Sequence, residues 1–377
     1  MNANNAIALV IPCYNRADTL GRLLHSLQKA QYPICVDLVF SVDNSGNDTV
    51  FQVADAFIWR FGEKKIIRHK ENIGLRNNIL SCGDLTEEYD SVIILEDDLL
   101  VSPFFFEYAY RAREYYKDDN RIAGISLYSY RISESFHEFN PISNGFDTYF
   151  MQWTSSWGQM WTKSQWKAFK EWYEIHRDKI STIPIPEYVK AWSHSWKKYH
   201  IAYLTDTNKY FVYPTVSYTT IQPSLGLHVK EVRLDKGYIV PLCCGVKRDL
   251  VFQKIEGAIV YDCFFEIKQL RLVLNKEEII ADLNIYGDKT KDNIINNYFI
   301  TSQRIPGVKV LKKWGIIEIP LETNILHSND GEGLYLYESI FFEPIQLSPG
   351  IKVSFRTQLT KMERLRYYFS RIPALFR

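Results

Sequence analysis

The sequence predicts an α/β fold, a mostly parallel doubly wound sheet with helices on both faces, followed by a smaller β-rich module. Three observations carry this reading. Up to about residue 125, short apolar runs alternate with stretches of helical period. The conspicuous polar clusters stand at the carboxyl ends of those runs, where open α/β sheets bind their ligands. Beyond Lys230 the alternation gives way to short strands punctuated by Gly, Asn-Asp and Pro.

Ile7-Ala8-Leu9-Val10-Ile11 is a continuous apolar run, the mark of a strand buried on both faces. It stops at Pro12, and Asp18 to Lys29 follows as a helix with Leu20, Leu23, Leu24 and Leu27 on one face. Val36 to Val42 is the second strand, Thr49 to Phe61 the second helix and Lys65 to His69 a short third strand. Ser91 to Leu95 is another apolar strand, Pro103 opens an aromatic-rich helix to Tyr116, and Ile122 to Leu127 closes the series. Tyr149 to Trp196 is Trp-rich helix and loop, and Phe211 to Val216 is a strand. The second module carries strands at Ile259 to Phe265, Leu270 to Leu274, Glu278 to Ile285, Val308 to Leu311, Ile316 to Pro320, Tyr335 to Phe342 and Ile351 to Phe355. The expected division is residues 1–232, 233–360 and a basic aromatic tail, 361–377. A length of 377 residues suits two or three domains of about 150 residues each.

Composition narrows the function. Lys plus Arg total 45 against 44 Asp plus Glu, and a net charge of +1 argues against a nucleic-acid partner, which calls for a basic excess. Aromatics at 15% are rich enough to wall a site for sugars or bases as well as a core. The six cysteines include no Cys-x-x-Cys pair, and adjacent Cys243 and Cys244 fit no zinc spacing. The first residues have neither a basic n-region nor an apolar h-region, and no apolar stretch reaches the roughly 18 residues of a membrane span. The expectation is a cytoplasmic protein with reduced thiols.

The strongest chemical feature is Glu96-Asp97-Asp98 at the end of an apolar strand. Adjacent carboxylates repel one another; a divalent cation relieves that cost, since hard oxygen ligands suit Mg2+ and Mn2+. The bland alternative is a solvated acidic turn before the next helix. Asp43-Asn44-Ser45-Gly46 ends the second strand, where the Asp43 carboxylate suits the ring N–H of a uracil or guanine, or simply a turn. Asn72-Ile73-Gly74-Leu75-Arg76 joins the third strand to a helix, with Arg76 suited to a phosphate or base.

The order Ile-Pro-Cys-Tyr-Asn-Arg (residues 11–16), Val-Asp-Asn-Ser (42–45), Asn-Ile-Gly-Leu-Arg (72–76) and Leu-Glu-Asp-Asp-Leu (95–99) resembles the GT-A nucleotide-sugar glycosyltransferases. The first two elements are similar to the large family-2-like group. Glu96-Asp97-Asp98-Leu99 with Pro103 and Phe104-Phe105-Phe106 is closer to the N-acetylglucosaminyltransferase I type, whose metal motif is Glu-Asp-Asp. Trp153 to Trp161, containing Trp157-Gly158, resembles the Trp-Gly loop of that type. The resemblance spans about residues 5 to 230 and extends to bacterial transferases of surface-polysaccharide clusters (O-antigen, capsule), some with a β-rich C-terminal extension.

The resemblance implies a GT-A fold, a Mn2+ or Mg2+ cofactor, a nucleotide-diphosphate sugar donor (UDP-sugar favoured), a glycan or lipid-linked glycan acceptor, and inversion. It assigns Asp43 to the nucleobase, Arg76 to the nucleotide and Asp98 to the metal, with Glu96 and Asp97 nearer ribose and sugar. Pro12, Tyr14, Arg16 and Trp157 fall in the nucleotide-sugar pocket. His228 matches a late histidine that returns to the metal or diphosphate, and an ordinary loop histidine is the alternative. Relatives carry a catalytic Asp beyond the Trp-Gly loop, yet Ala191-Trp192-Ser193-His194-Ser195-Trp196 has none near Ser193. His194 is then the candidate base, with Glu187 and Asp206 as fallbacks. The missing Asp keeps open a non-catalytic nucleotide-sugar or glycan-binding protein. A sugar nucleotidyltransferase shares the sheet, but its Gly-rich phosphate loop is absent here. The tail from Lys361 to Arg377 suits peripheral contact with the inner face of an anionic membrane, or packing on the β-rich module.

Overall fold

A computed structural model describes residues 6–135, 137–222, 237–245 and 249–342. His228, the tail 361–377 and the strand expected at Ile351 to Phe355 lie outside the described residues.

The elements run β1 (Ile7–Cys13), α1 (Ala17–Gln28), β2 (Asp37–Val42), α2 (Thr49–Ala56), β3 (Lys64–Arg68), α3 (Gly74–Asp84), β4 (Ser91–Ile94), β5 (Leu99–Val101), α4 (Phe105–Tyr116), β6 (Ile122–Ser126), β7 (Thr148–Met151), β8 (Gln159–Thr162), α5 (Lys163–His176), α6 (Glu187–Lys190), α7 (Lys197–Asp206), β9 (Tyr210–Pro214) and β10 (Thr219–Ile221). There follow β11 (Val260–Tyr261), β12 (Leu270–Leu274), β13 (Glu277–Leu283), β14 (Tyr298–Thr301), β15 (Lys312–Gly315), α8 (Leu321–Leu326) and β16 (Gly333–Glu338). A nine-stranded sheet has the order β11-β7-β9-β6-β8-β4-β1-β2-β3, and β12-β13-β14-β16-β15 form a separate five-stranded sheet.

β1 is buried along its whole length and pairs in parallel with β2 and β4, as its unbroken apolar run demands. The leucine face of α1 (Leu20, Leu23, Leu24, Leu27) is buried, each leucine contributing about 1.5–3 kcal/mol. The register fixes where chemistry can occur. Cys13 lies opposite Val42, and Val10 opposite Ile94. The loops after β1, β2 and β4 therefore open along one sheet edge.

Several expectations need correction. The helix from Thr49 stops at Ala56 rather than Phe61, because Phe57 is extended (φ −73°, ψ 130°). The strand read at Ile259 to Phe265 shortens to β11 and joins the large sheet beside β7, so the separate sheet begins only at β12. β11 caps what would otherwise be an open strand edge. Val308 to Leu311 and Ile316 to Pro320 are not strands; the pairing falls between them, at β15. β5, β7, β8, β10 and β14 were not legible as separate strands, being only 3 to 4 residues long.

The two sheets are joined by buried charge. Lys289 Nζ lies 2.5 Å from Asp262 and 3.1 Å from Glu266, and its side chain is 3% exposed. His137 Nε2 meets Asp288 at 3.2 Å and its ring stacks on Tyr286 at 4.3 Å. No helix among the described residues is long and apolar enough to cross a membrane.

Candidate functional site

The acidic triplet occupies the tight turn between β4 and β5. Leu95 N–H bonds to Val10 O, Leu99 N–H to Glu96 O, and Gln222 N–H to Asp98 O. Burial and the neighbouring Asp98 push the Glu96 carboxyl up to about 8. Burial likewise pushes Asp97 up to about 6, against the opposing pull of Arg16. The Arg16 guanidinium, from the loop after β1, pairs with both Asp97 and Asp98, at 2.5 Å from Asp98 Oδ2. Asp98 Oδ1 is buried and has no hydrogen-bond partner among the described residues. An orphaned carboxylate oxygen suits a hard cation. Among the described residues, no group of three or more His, Cys, Asp or Glu side chains converges to hold a metal ion. Of the three carboxylates, Asp98 is the one that could hold such an ion, through Oδ1.

Asp43 is 4% exposed and ties β2 to the start of α3. Its Oδ1 accepts from the backbone N–H groups of Asn44 (2.9 Å) and Ile73 (2.8 Å), and Oδ2 from Gly74 (2.9 Å). Gly74 has φ +76°, a left-handed conformation that explains glycine at this position. Tyr14 lies alongside, its hydroxyl accepting from Asn72 Nδ2 at 3.2 Å, while Pro12 is buried in β1 opposite Ser41. These groups lie at one end of β1 and β2, and Asp43 serves the backbone of the loop.

Arg76 does not stand free toward a ligand. Its Nη2 donates to the Ser193 carbonyl, its guanidinium lies 4.9 Å over the Tyr199 ring, and its Nε is buried without a partner. The contact draws the segment 192–196 against the N-terminus of α3. On that segment His194 is exposed. Glu187 is exposed and paired with Lys190 at 2.8 Å. Asp206, at the far end of α7 from Trp196, is held by Trp172 Nε1 at 2.7 Å. Ten helical residues, about 15 Å, separate that end from the start of α7. The three base candidates are therefore not brought together.

Sequence reasoning missed a second cluster. Trp157 is half-buried, its ring 4.7 Å from Tyr128 and 5.5 Å from Tyr130. Against it lies Lys197, 6% exposed, whose Nζ sits 4.9 Å from the Trp153 ring, 5.7 Å from Trp157 and 5.4 Å from Trp192. Nζ pairs with Glu134 Oε1 at 2.7 Å, and its charge opposes the rise of the Glu96 carboxyl. The only local signal was a lysine directly after Trp196 in a Trp-rich stretch; Glu134 gave none.

Residues 8–166, under half of the chain, match the family model described as Glycosyl transferase family 2. No curated protein matches the chain. Among solved structures, Staphylococcus aureus TarS 1-349 in complex with UDP-GlcNAc is similar at 14% identity and TM-score 0.40, over 61% of this chain and 62% of that one. TarS 1-349 alone gives 15% and 0.38, over 58% and 60%. The mannosyltransferase PcManGT from Pyrobaculum calidifontis, in complex with GDP-Man and Mn2+, gives 14% and 0.30, over 44% and 46%. The chain thus spans less than two thirds of the length of these proteins. The large mixed sheet, with the family match lying on it, has the GT-A fold, and the β-rich region is additional to it.

Proposed function

We propose that the protein is a metal-dependent glycosyltransferase that moves a sugar, with inversion, from a nucleotide-diphosphate donor (a UDP-sugar by preference) to a glycan or lipid-linked glycan. The observation that carries this is the acidic triplet at the end of β4, with Asp97 buried and its neighbours half-buried, within the stretch matched by the family model. Asp98 holds a Mn2+ or Mg2+ ion in this reading, through the Oδ1 atom that has no other partner. When bound, the ion offsets charge developing on the departing diphosphate. Arg16 turns to the donor phosphates as a bidentate donor, and Glu96 and Asp97 face ribose and sugar. Asp43 keeps about one acceptor position beyond its three backbone bonds, enough for one nucleobase N–H.

Residues 1–232 supply the donor site in this division of the chain. Residues 233–360 add β11 and the second sheet, and the tail 361–377 rests on an anionic membrane surface on the cytoplasmic side. His228 returns to the metal or diphosphate. Surface-polysaccharide assembly is the setting that this chemistry suits.

A thermal-shift panel of UDP-, GDP-, dTDP- and CMP-sugars, with and without Mn2+, tests the reading, since a ligand of the folded state raises its melting temperature. One nucleotide class should raise it, and more so with Mn2+. No shift with any donor overturns the proposal. Binding without release of nucleoside diphosphate marks a binding protein of the same fold.

A further inference from the structure

We propose that Glu134 is the general base that deprotonates the acceptor hydroxyl and that Lys197 is its positioning residue; this rests on the transferase reading above. The segment 192–196 carries no carboxylate, yet the fold brings one to its end from a distant loop. Lys197 directly follows Trp196, and its Nζ holds Glu134 Oε1 at 2.7 Å. Nζ also lies 3.3 Å from the Tyr130 hydroxyl.

The lysine cannot wander. Its side chain is 8% exposed, and it is enclosed by the rings of Tyr130, Trp153, Trp157 and Trp192, with Nζ 4.9 to 5.8 Å from their centroids. A desolvated ammonium is held by the negative faces of the surrounding rings, so this cage fixes the charge in place. One carboxylate oxygen of Glu134 is thereby anchored. The other, Oε2, accepts no hydrogen bond among the described residues. The Glu134 side chain keeps 20% of its exposure, so an acceptor can reach it. Trp157 and Trp192 are half-buried and leave ring surface for a sugar to stack on. Gln159 lies opposite Ile94 in the sheet, so Trp157, two residues before it, stands near the turn that bears the acidic triplet, and Lys197 Nζ lies 5.7 Å from the Trp157 ring.

The step balances. Glu134 Oε2 takes the acceptor proton, the acceptor oxygen forms the new bond to the anomeric carbon, and the carbon–oxygen bond to the diphosphate breaks. The electron pair leaves on the diphosphate, and the proton stays on Glu134 until solvent removes it. His194, exposed on the same segment, has no such anchor among the described residues.

The test uses the full chain with UDP-N-acetylglucosamine and GDP-mannose as donors and p-nitrophenyl glycosides as acceptors, reading nucleoside diphosphate release. Glu134→Gln should lower turnover by about 10²–10⁴-fold, the usual worth of a positioned base, with nucleotide affinity unchanged. Formate should restore at least part of the turnover of Glu134→Gly, which a purely structural role would not allow. Lys197→Met should lower kcat more than it raises KM, and Lys197→Arg should recover part of the loss. Turnover of Glu134→Gln within about threefold of wild type, or no formate rescue, overturns the base assignment alone. A wild-type protein that turns over no donor overturns the transferase reading and this assignment with it.

Discussion

Arg76 donates a hydrogen bond to the backbone carbonyl of Ser193, a residue 117 positions further along the chain. Through it, the first turn of α3 holds the loop that leads to Lys197. An arginine expected at the nucleotide thus also braces the segment 192–196. Arg76→Ala should lower turnover by roughly tenfold, since a misplaced reacting group of about 1 Å costs up to 10²-fold. It should also raise limited proteolysis within residues 190–197. An unchanged cleavage pattern would show that Ser193 is held by other means.

Asp98→Ala should abolish the Mn2+-dependent part of donor affinity while leaving the melting temperature equal or higher, because a crowded carboxylate is removed beside Glu96 and Asp97. Calorimetry with and without Mn2+ checks it. Equal Mn2+-dependent affinity in the variant would remove Asp98 from metal binding.

Lys289→Met should cost about 3–5 kcal/mol, the usual penalty for leaving buried carboxylates unpaired. Asp262 and Glu266 would lose their cation, and Leu283 O its 2.5 Å donor. Urea denaturation reads the loss. The triple variant Lys289→Met, Asp262→Asn, Glu266→Gln should regain part of it, and a triple variant no better than the single would count against the pairing.

The Glu322 carboxyl, 4% exposed, is pushed up to about 7 by burial and by Glu266 and Asp262 nearby. A folded-state value above the ordinary 4.5 means that the folded protein binds the proton more tightly than the unfolded chain. This group favours folding most below pH 4.5, and its contribution declines as pH rises toward 7. Glu322→Gln should flatten the fall in melting temperature across that window. A slope identical to wild type would show that Glu322 is ionised in the folded state.

Local pattern in the chain was enough to set the parallel half of the fold. β1 is a seven-residue strand and β2 and β4 are shorter buried strands rich in Val, Ile and Leu, and the polar residues that follow them reach one edge by register alone. That is why the clustering of Asp43 and the acidic triplet at one sheet edge was legible. The short antiparallel strands were not, because three or four residues carry too little periodicity to separate strand from loop. β11 went to the large sheet rather than the second module for the same reason: an edge pairing is chosen by the partner strand, not by the two residues that make it.

Period and strand length are local properties, and they set which side chains crowd at the ends of β1, β2 and β4. What those side chains do to one another came from the folded arrangement. Arg16 neutralises Asp97 and Asp98 across 81 and 82 positions, Asp43 serves the amides of Ile73 and Gly74, and Lys197 meets Glu134 inside a ring of aromatics. Such pairings depend on through-space distance, and charge interaction acts over a few ångströms regardless of how much chain lies between the partners.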